Sequence, residues 1–249
     1  MKKITIAVLL VLSMSIPAMA ATELALPPTF GQEQFKSLSR DLGLAISYVP
    51  LAPAEPLGGV LPHVDAGVEV TMVQLDTKQT YWKDIETYIG KDIPDSLPFP
   101  KFHIQVGLPV IPIDLGYVYA SVPGTNIKYM GGEVKWAILS GSVATPAVAI
   151  RGAYTKLSGV TDLDINTKSL DLSISKGFLM FTPYAGYGMV WIESKEKSTN
   201  PLINLKDESL TEGKGFVGAK ITFFPLLNLV VEADFAKVNS YSARLNLHF

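Results

Sequence analysis

The chain has 249 residues, no cysteine and a formal net charge of −2 at pH 7. The lack of cysteine excludes disulfides, thiol catalysis and thiolate metal sites, and a charge so close to zero does not favour nucleic-acid binding. Although 48% of the residues are apolar, no apolar run beyond residue 20 approaches the roughly 20 residues of a spanning helix. The composition therefore fits a packed soluble domain or a barrel with apolar residues at every second position.

Residues 1–20 have the organisation of a cleavable export signal. Two lysines are followed by an apolar stretch from Ile4 to Ile16 and by the small-x-small sequence Ala18-Met19-Ala20. The stretch is shorter than the roughly 20 apolar residues of a membrane anchor. We therefore expect export, with a mature chain that begins at Ala21.

The next segment, residues 21–41, is predicted to be helical or to plug a barrel. Phe35, Leu38 and Leu42 have helical spacing within residues 30–42. Alternate residues from Leu42 to Tyr48 are instead apolar or aromatic, as in a strand. A strand there would give an odd count of eleven, whereas single-chain bacterial barrels are normally even. A partial strand, an unrecognised strand within 22–36 and a plug remain open, and we assign residues 42–249 to the barrel.

From residue 64 onwards, apolar and polar residues alternate with a period of two, which indicates β-strands. In the last segment, alternate residues from Tyr241 to Phe249 are apolar or aromatic. Several segments reach the roughly 9–11 residues that a tilted strand needs to cross a bilayer. The predicted strands are 64–75, 102–108, 113–121, 127–139, 146–156, 164–175, 178–193, 213–223, 227–237 and 240–249.

The connections between the predicted strands form two sets that alternate along the chain. One set is short, and the other contains two long, polar connections. The short ones are 109–112, 140–142, 176–177 and 224–226, and the others are 76–101, 122–126, 157–163, 194–212 and 238–239. Bacterial outer-membrane barrels have short periplasmic turns and longer outer loops. The sequence therefore predicts an all-β fold, a transmembrane antiparallel up-and-down β-barrel of about 10–12 strands.

The connection 76–101 contains a helical pattern, because Tyr81, Ile85 and Ile89 in TYWKDIETYIGKD lie at helical spacing. A lid helix, an interfacial helix and a loop folded into the mouth are the alternatives. An amphipathic stretch beside a membrane favours the interfacial helix. Three prolines, Pro94, Pro98 and Pro100, are expected to stiffen the return to the strand that begins at residue 102.

Five stretches carry a family resemblance: FKSLSRDLGLAISYVPLAPAEPLG, VATPAVAIRGAYTKLSGV, LDLSISKGF, FTPYAGYG and SYSARLNLHF. In them the chain resembles an uncharacterised proteobacterial outer-membrane β-barrel protein family. The last strand, ending in Phe249, is similar to the sorting signal that the barrel-assembly machinery reads. The resemblance implies an outer-membrane location and barrel fold, with outer-membrane lipid, lipopolysaccharide and that machinery as partners, and it implies no activity.

Charged residues on the polar strand faces are the candidate functional residues. We expect Glu133 opposite or nearly opposite Arg151. We also expect Asp234 opposite Arg244, and Lys220 diagonal to Glu232, because opposite charges attract at such positions. A charged lumen could conduct polar solutes, but a small barrel also fills its interior with side chains whose charges must be paired. The pairing favours the second interpretation for most of the predicted lumen residues: Glu69, Asp114, Glu133, Lys135, Arg151, Asp171, Lys220, Glu232, Asp234 and Arg244, with His103 and Gln105 on the same face.

Aromatic residues on the opposite faces are predicted to contact lipid, since Tyr and Trp prefer the headgroup level. Trp191 and Tyr241 are expected in the outer girdle, and Trp136 and Phe249 in the inner one. The predicted membrane-facing set is Trp136, Tyr154, Tyr187, Trp191, Tyr241 and Phe249.

A rim enzyme is the competing class of protein, and it needs a histidine within reach of a partner. Of His63, His103 and His248, only His103 is expected near the outer rim, and no Gly-x-Ser-x-Gly sequence occurs. The acidic pairs Asp162/Asp164 and Glu193/Glu196 are interpreted as solvated loop charge. We predict no catalytic residue, cofactor or metal site.

The sequence is compatible with three functions. The first is a monomeric outer-membrane barrel that acts as a narrow or gated passive channel for small molecules. The alternative is a non-transporting structural or interaction barrel, and the third is a hydrolase that depends on His103.

Overall fold

The computed structural model describes residues 25–121, 126–224 and 226–249. Ten antiparallel strands follow one another around a closed barrel, in which β1 also pairs with β10. The predicted fold class is confirmed, at the lower end of the expected strand count, while the predicted export signal lies outside the described residues. The strands are β1 (His63–Gln74), β2 (Ser96–Gly107), β3 (Ile113–Ser121), β4 (Lys128–Leu139), β5 (Ala147–Ser158), β6 (Leu163–Ser175), β7 (Phe181–Glu196), β8 (Glu208–Phe224), β9 (Leu227–Phe235) and β10 (Asn239–His248).

The largest boundary error concerns β2, which begins at Ser96 and contains Pro98 and Pro100. These prolines lie inside a strand, so the expected stiff return that ended at residue 102 is wrong. The whole of β2 pairs with β1, while its described pairing with β3 begins at Phe102. Proline lacks an N–H group and is tolerated where one strand edge has no partner.

The connections divide between the two ends of the barrel as the sequence predicts. We call the end that carries residues 108–112, 140–146 and 176–180 the short-turn end. The other, the long-loop end, carries among others residues 75–95 and 197–207. Phe249 lies at the short-turn end, where its N–H donates to the carbonyl oxygen of Val64 at 2.9 Å.

The outer surface of the barrel is apolar. Leu172 is 55% exposed and Val134 is 51% exposed, although each lies in a strand that is paired on both sides. Burying apolar surface stabilises by roughly 25 cal/mol per Å², and a large exposed apolar surface marks contact with a partner or a membrane. Other outward residues exposed in this way are Leu115, Tyr117, Met130, Ile138, Leu170, Ile174, Met189, Val217, Val231, Phe235 and Leu245.

A helix, α1 (Gln32–Ala45), lies inside the barrel. Phe35 and Leu38 are fully buried, and the helix contacts β6, β7 and β8. Of the alternatives left open for this region, a strand from Leu42 to Tyr48 is wrong, because the helix continues to Ala45. Residues 46–62, which we call the lumen segment, then have no regular secondary structure.

The N-terminal residues run through the barrel from one end to the other. At the long-loop end, the N–H of Leu26 donates to Asp162 at 2.8 Å. At the short-turn end, the carbonyl oxygen of Gly59 accepts a hydrogen bond from the N–H of Val110 at 2.8 Å. Residues 25–62 therefore enter at the long-loop end and continue into β1 at the short-turn end.

The second helix, α2 (Thr80–Ile89), packs on α1 at the long-loop end. Trp82 and Ile85 are buried in the same apolar cluster as the lumen helix. The interfacial interpretation is therefore wrong, and the lid alternative fits, because the apolar face of α2 contacts protein. Neither described helix is long and apolar enough to cross a membrane.

One carboxylate joins the two helices. Asp41 of α1 accepts hydrogen bonds from the Tyr81 hydroxyl at 2.6 Å and from Trp82 Nε1 at 3.0 Å. Burial raises the pKa of Asp41, although both hydrogen bonds oppose that shift. Burial and the neighbouring carboxylate likewise raise the pKa of Tyr81.

Candidate functional site in the lumen

The half of the lumen near the long-loop end is filled by apolar side chains. Phe35 and Leu38 of α1 pack against inward residues of the strands, including Ile165, Val190 and Ile192. A Cβ atom at Gly43 would lie 2.3 Å from Cγ2 of Ile192. The helix therefore approaches β7 so closely that only glycine fits at residue 43 without a shift.

The other half of the lumen contains ion pairs between neighbouring strands. Lys101 pairs with Glu69, and Lys135 Nζ lies 2.8 Å from Asp114. Buried charges are tolerated when they are paired in this way. The remaining pairs are Arg151 with Glu133 at 2.7 Å and with Asp171 at 3.6 Å, and Lys214 with Asp234 at 3.2 Å.

The structure places all ten predicted lumen residues on the inward face. Arg151 is 0% exposed, Arg244 1% and Lys135 2%. Asp171 and Lys220 are half-buried, and the others are buried.

The register of two predicted pairs is wrong. Glu133 lies opposite Ala153, two residues from Arg151, and a register shift between Ala137 and Leu139 accompanies the longer turn. Glu133 and Arg151 nevertheless form an ion pair, because their side chains meet diagonally.

At the other hairpin, Asp234 lies opposite Ser240 and Arg244 lies opposite Val230. The turn begins after Phe235, not after residue 237, so every facing position is displaced. Lys220 and Glu232 lie diagonally across β8 and β9, as predicted.

Three buried inward charges of the described strands were missed. Lys101 lies outside the predicted strand, which begins at residue 102 after the expected stiff return through Pro98 and Pro100. Lys214 has the same parity as Lys220 and could have been found by alternation. Asp65 pairs with His248 Nδ1 at 2.6 Å, and His248 stacks on His63.

His103 is buried in the barrel, so its expected position near the outer rim is wrong. It lies opposite Gly67 of β1 and is 0% exposed. Its Nδ1 lies 2.8 Å from Glu69 Oε2, and its Nε2 lies 3.0 Å from the Tyr48 hydroxyl. The histidine therefore joins the wall to the lumen segment.

The wall holds the lumen segment chiefly by its main chain. Arg244 donates to the carbonyl oxygen of Leu51 at 2.8 Å, and Glu232 accepts from the Leu51 N–H at 2.9 Å. Lys135 donates to the carbonyl oxygens of Pro53 at 2.9 Å and Glu55 at 2.8 Å. Further wall contacts are Lys214 to the Tyr48 carbonyl oxygen (2.6 Å), the Ala54 and Glu55 N–H groups to Ser175 Oγ (3.1 and 3.3 Å), and the Leu57 N–H to Asp114 (3.0 and 3.1 Å).

Leu51, at the centre of these contacts, has an unusual backbone conformation. Its φ is +44°, in the left-handed region that non-glycine residues rarely adopt. Its side chain is fully buried. Such conformations persist where the surroundings hold them, and here Arg244 and Glu232 hold the peptide groups on both sides.

Free space borders the lumen segment in at least two places. A cavity of about 20 Å³ lies between Ala52–Leu57 and the wall residues Lys135, Lys220 and Arg244, which is room for about one water molecule. A groove of about 480 Å³ beside Gly58, Gly59 and Val110 opens at the short-turn end.

The predicted membrane-facing aromatic residues lie on the outside of the barrel. Tyr187 is 62% exposed and Trp136 is 51% exposed. Trp136 lies opposite Ile113, near the short-turn end, whereas Tyr241 lies opposite Met72, towards the long-loop end. The other exposed members are Tyr154, Trp191, Tyr241 and Phe249.

The acidic loop pairs have partners within the chain. Asp164 pairs with Lys197 at 2.5 Å, and Glu193 pairs with Lys168 at 2.7 Å. Over residues 25–121, 126–224 and 226–249, no group of three or more His, Asp or Glu side chains could hold a metal ion.

Comparison with known proteins gives similarity at the level of architecture. No protein-family model matches the chain, and no curated protein matches it. The N-terminal β-barrel domain of Pseudomonas aeruginosa OprF is 13% identical, with 74% of this chain and 97% of that chain covered and a TM-score of 0.35. OprG of Pseudomonas aeruginosa is 12% identical (80% and 99% covered, TM-score 0.34). Ail of Yersinia pestis, solved with a heparin analogue, is 11% identical (76% and 97% covered, TM-score 0.31). At these sequence identities, the similarity is one of barrel fold and extends to no function.

Proposed function

We propose that the chain is an outer-membrane β-barrel whose lumen is closed by its own N-terminal residues, and that it does not conduct solutes in this state. The outward apolar surface supports a membrane location, because such a surface needs an apolar environment. The signal-like residues 1–20 and the terminal strand ending in Phe249 support the outer membrane in particular.

The hydrogen bonds of Arg244 and Lys135 to the lumen segment carry the proposal of a closed lumen. Both cations are buried and lie on opposite parts of the wall, β10 and β4. Each donates to main-chain oxygens of the lumen segment. Charge-assisted hydrogen bonds of this kind contribute about 1.5–3 kcal/mol each, so together they stabilise the position of the segment in the lumen.

A narrow or gated passive channel is the second candidate. Charges of both signs line the wall around the lumen segment, and they would remain if the segment were displaced. In this proposal the closed barrel is the resting state, and conduction requires that residues 46–62 move out of the lumen.

Planar-bilayer conductance of the purified full-length protein tests the closed lumen. We expect no stable current steps from the wild-type protein and intermittent steps from the double variant Lys135→Gln/Arg244→Gln, which loses three of the main-chain contacts. Stable steps from the wild-type protein would overturn the proposal. Fractionation and heat-modifiable gel mobility test the location, because a soluble band without a mobility shift would contradict an outer-membrane barrel.

A further inference from the structure

The wall contacts of residues 48–57 involve the main chain of the segment far more than its side chains. Six wall side chains contact main-chain atoms: Asp114, Lys135, Ser175, Lys214, Glu232 and Arg244. Hydrogen bonds to the segment's own side chains are fewer, from Lys214 to Ser47 at 3.2 Å and between Tyr48 and His103. A surface that contacts the main chain in this way recognises the path of the backbone, including the left-handed conformation of Leu51, more than the side chains that the backbone carries.

The prolines of the segment match the pattern of these contacts. Pro50, Pro53 and Pro56 occur at every third residue, and proline has no N–H to donate. The N–H groups that the wall accepts belong to residues between the prolines, such as Leu51 and Leu57. Every main-chain contact of the wall is therefore compatible with proline at these three positions, and Pro53 contributes the carbonyl oxygen that it retains.

We propose that this inward surface is a binding site for a proline-rich polypeptide whose backbone follows the path seen here, and that residues 47–57 are its resident occupant. The proposal goes beyond closure of the barrel, since closure needs only a filled lumen. A binding site also requires that the occupant can leave and be replaced by another chain of this kind. A groove of about 480 Å³ lies beside Gly58 and Gly59, where the occupant ends at the short-turn end.

The linker after the site makes the occupant separable. Gly59, Val60 and Leu61 are exposed, with Val60 at 86%. A protease site inserted between Gly59 and Val60 of the full-length protein would allow the chain to be cut after folding. The N-terminal residues would then remain only through non-covalent contacts, and heat-modifiable mobility would report whether the barrel stays folded.

The probe is a fluorescent synthetic peptide with the sequence of residues 32–59, added in excess to the cut protein. We expect it to replace the resident segment and saturate. A second peptide replaces the amide N–H of Leu51 and of Leu57 by an ester oxygen, which removes two donors with little change of shape. A matched control carries two esters, at Tyr48 and Gly58, because neither their N–H groups nor the preceding carbonyl oxygens form a hydrogen bond with a wall residue within the described ranges.

The esters at Leu51 and Leu57 should weaken binding on the order of tenfold or more, while the esters at Tyr48 and Gly58 should have little effect. In the protein, Arg244→Gln should speed release of the cut segment on the order of tenfold. Lys220→Gln is the control, because Lys220 lines the same cavity but forms no hydrogen bond to the segment within the described ranges.

Equal binding of the two ester peptides would overturn the proposal. A segment that never exchanges, a released segment that the probe does not replace, or a barrel that unfolds on cutting would do the same. None of these results bears on the conductance of the uncut protein, so the failure of the peptide site and the failure of the closed lumen are distinguishable.

Discussion

Arg244 donates a hydrogen bond from Nη2 to the carbonyl oxygen of Leu51, 2.8 Å away, and so joins the last strand to the lumen segment. The same guanidinium nitrogen donates to Gln105 Oε1 at 2.8 Å. The adjacent strand supplies Glu232, which accepts the N–H of Leu51. A donor and an acceptor from β10 and β9 thus hold one peptide residue in place at a positive φ.

Loss of this contact should destabilise the barrel. In Arg244→Ala, the buried oxygens of Leu51 and Gln105 lose a charged donor, which costs about 1.5–3 kcal/mol. We expect the folded band of the protein to disappear at a lower temperature on heat-modifiable gels. Lys220→Ala is the matched control and should leave that temperature nearly unchanged. Equal effects of the two variants would contradict the role of Arg244.

Gly116 should not tolerate a side chain. A Cβ there would lie 2.5 Å from Glu133 Cγ and 2.8 Å from the Tyr48 hydroxyl. Gly116→Ala therefore forces the ion-paired wall or the lumen segment to move, and overpacking of this kind costs about 1–3 kcal/mol. Gly152→Ala is the control, since nothing lies within 4 Å of its Cβ position. The urea midpoint in detergent should fall for the first variant only, and an unchanged midpoint would contradict the close packing.

Gly43 and Ile192 should be coupled. Gly43→Ala places a methyl group 2.3 Å from Cγ2 of Ile192 and should destabilise α1 despite the better helix propensity of alanine. Ile192→Ala removes the obstructing atoms, so the double variant should lose less stability than the two single effects added together. A double-mutant cycle on the unfolding free energy measures this coupling. Strict additivity would show that the helix does not lie against β7.

The contact between α1 and α2 should depend on pH. Burial raises the pKa of Asp41 from 3.8, so the folded protein binds the proton more tightly than the unfolded chain. As the pH rises through the window just above 3.8, Asp41 therefore lowers the stability of the folded state. Asp41→Asn should abolish this part of the pH dependence, as measured by urea unfolding at several pH values. A dependence of the same sign and size in Asp41→Asn would contradict the assignment.

The sequence predicted the barrel well, because alternation with a period of two follows directly from one apolar and one polar face. Alternation within each strand placed Glu133, Arg151 and Arg244 on the inward face correctly, since the face that a residue occupies does not depend on its partner in the next strand. The predicted pairing of Asp234 with Arg244 was wrong, because the cross-strand partner of a residue depends on where the turn between the two strands begins.

The occupant of the lumen could be predicted only in part. Phe35 and Leu38 indicate a helix, but the alternation from Leu42 to Tyr48 resembles a strand because Leu44 in the last turn of α1 and Ile46 and Tyr48 after the helix are all buried. The lumen segment is held through main-chain atoms, as at Leu51 and Pro53, and main-chain contacts leave little trace in side-chain patterns. The prolines at positions 50, 53 and 56 disfavour a regular helix or strand in this segment, but they do not predict where it lies.

The path of the N-terminal residues through the barrel is tested most directly by single-cysteine labelling, since the chain has no cysteine of its own. Glu33 is exposed at the long-loop end, and Val60 is 86% exposed at the short-turn end. With a large maleimide that does not cross the outer membrane, Glu33→Cys should be labelled on intact cells, and Val60→Cys only after the outer membrane is opened. Labelling of Val60→Cys but not of Glu33→Cys on intact cells would contradict the account.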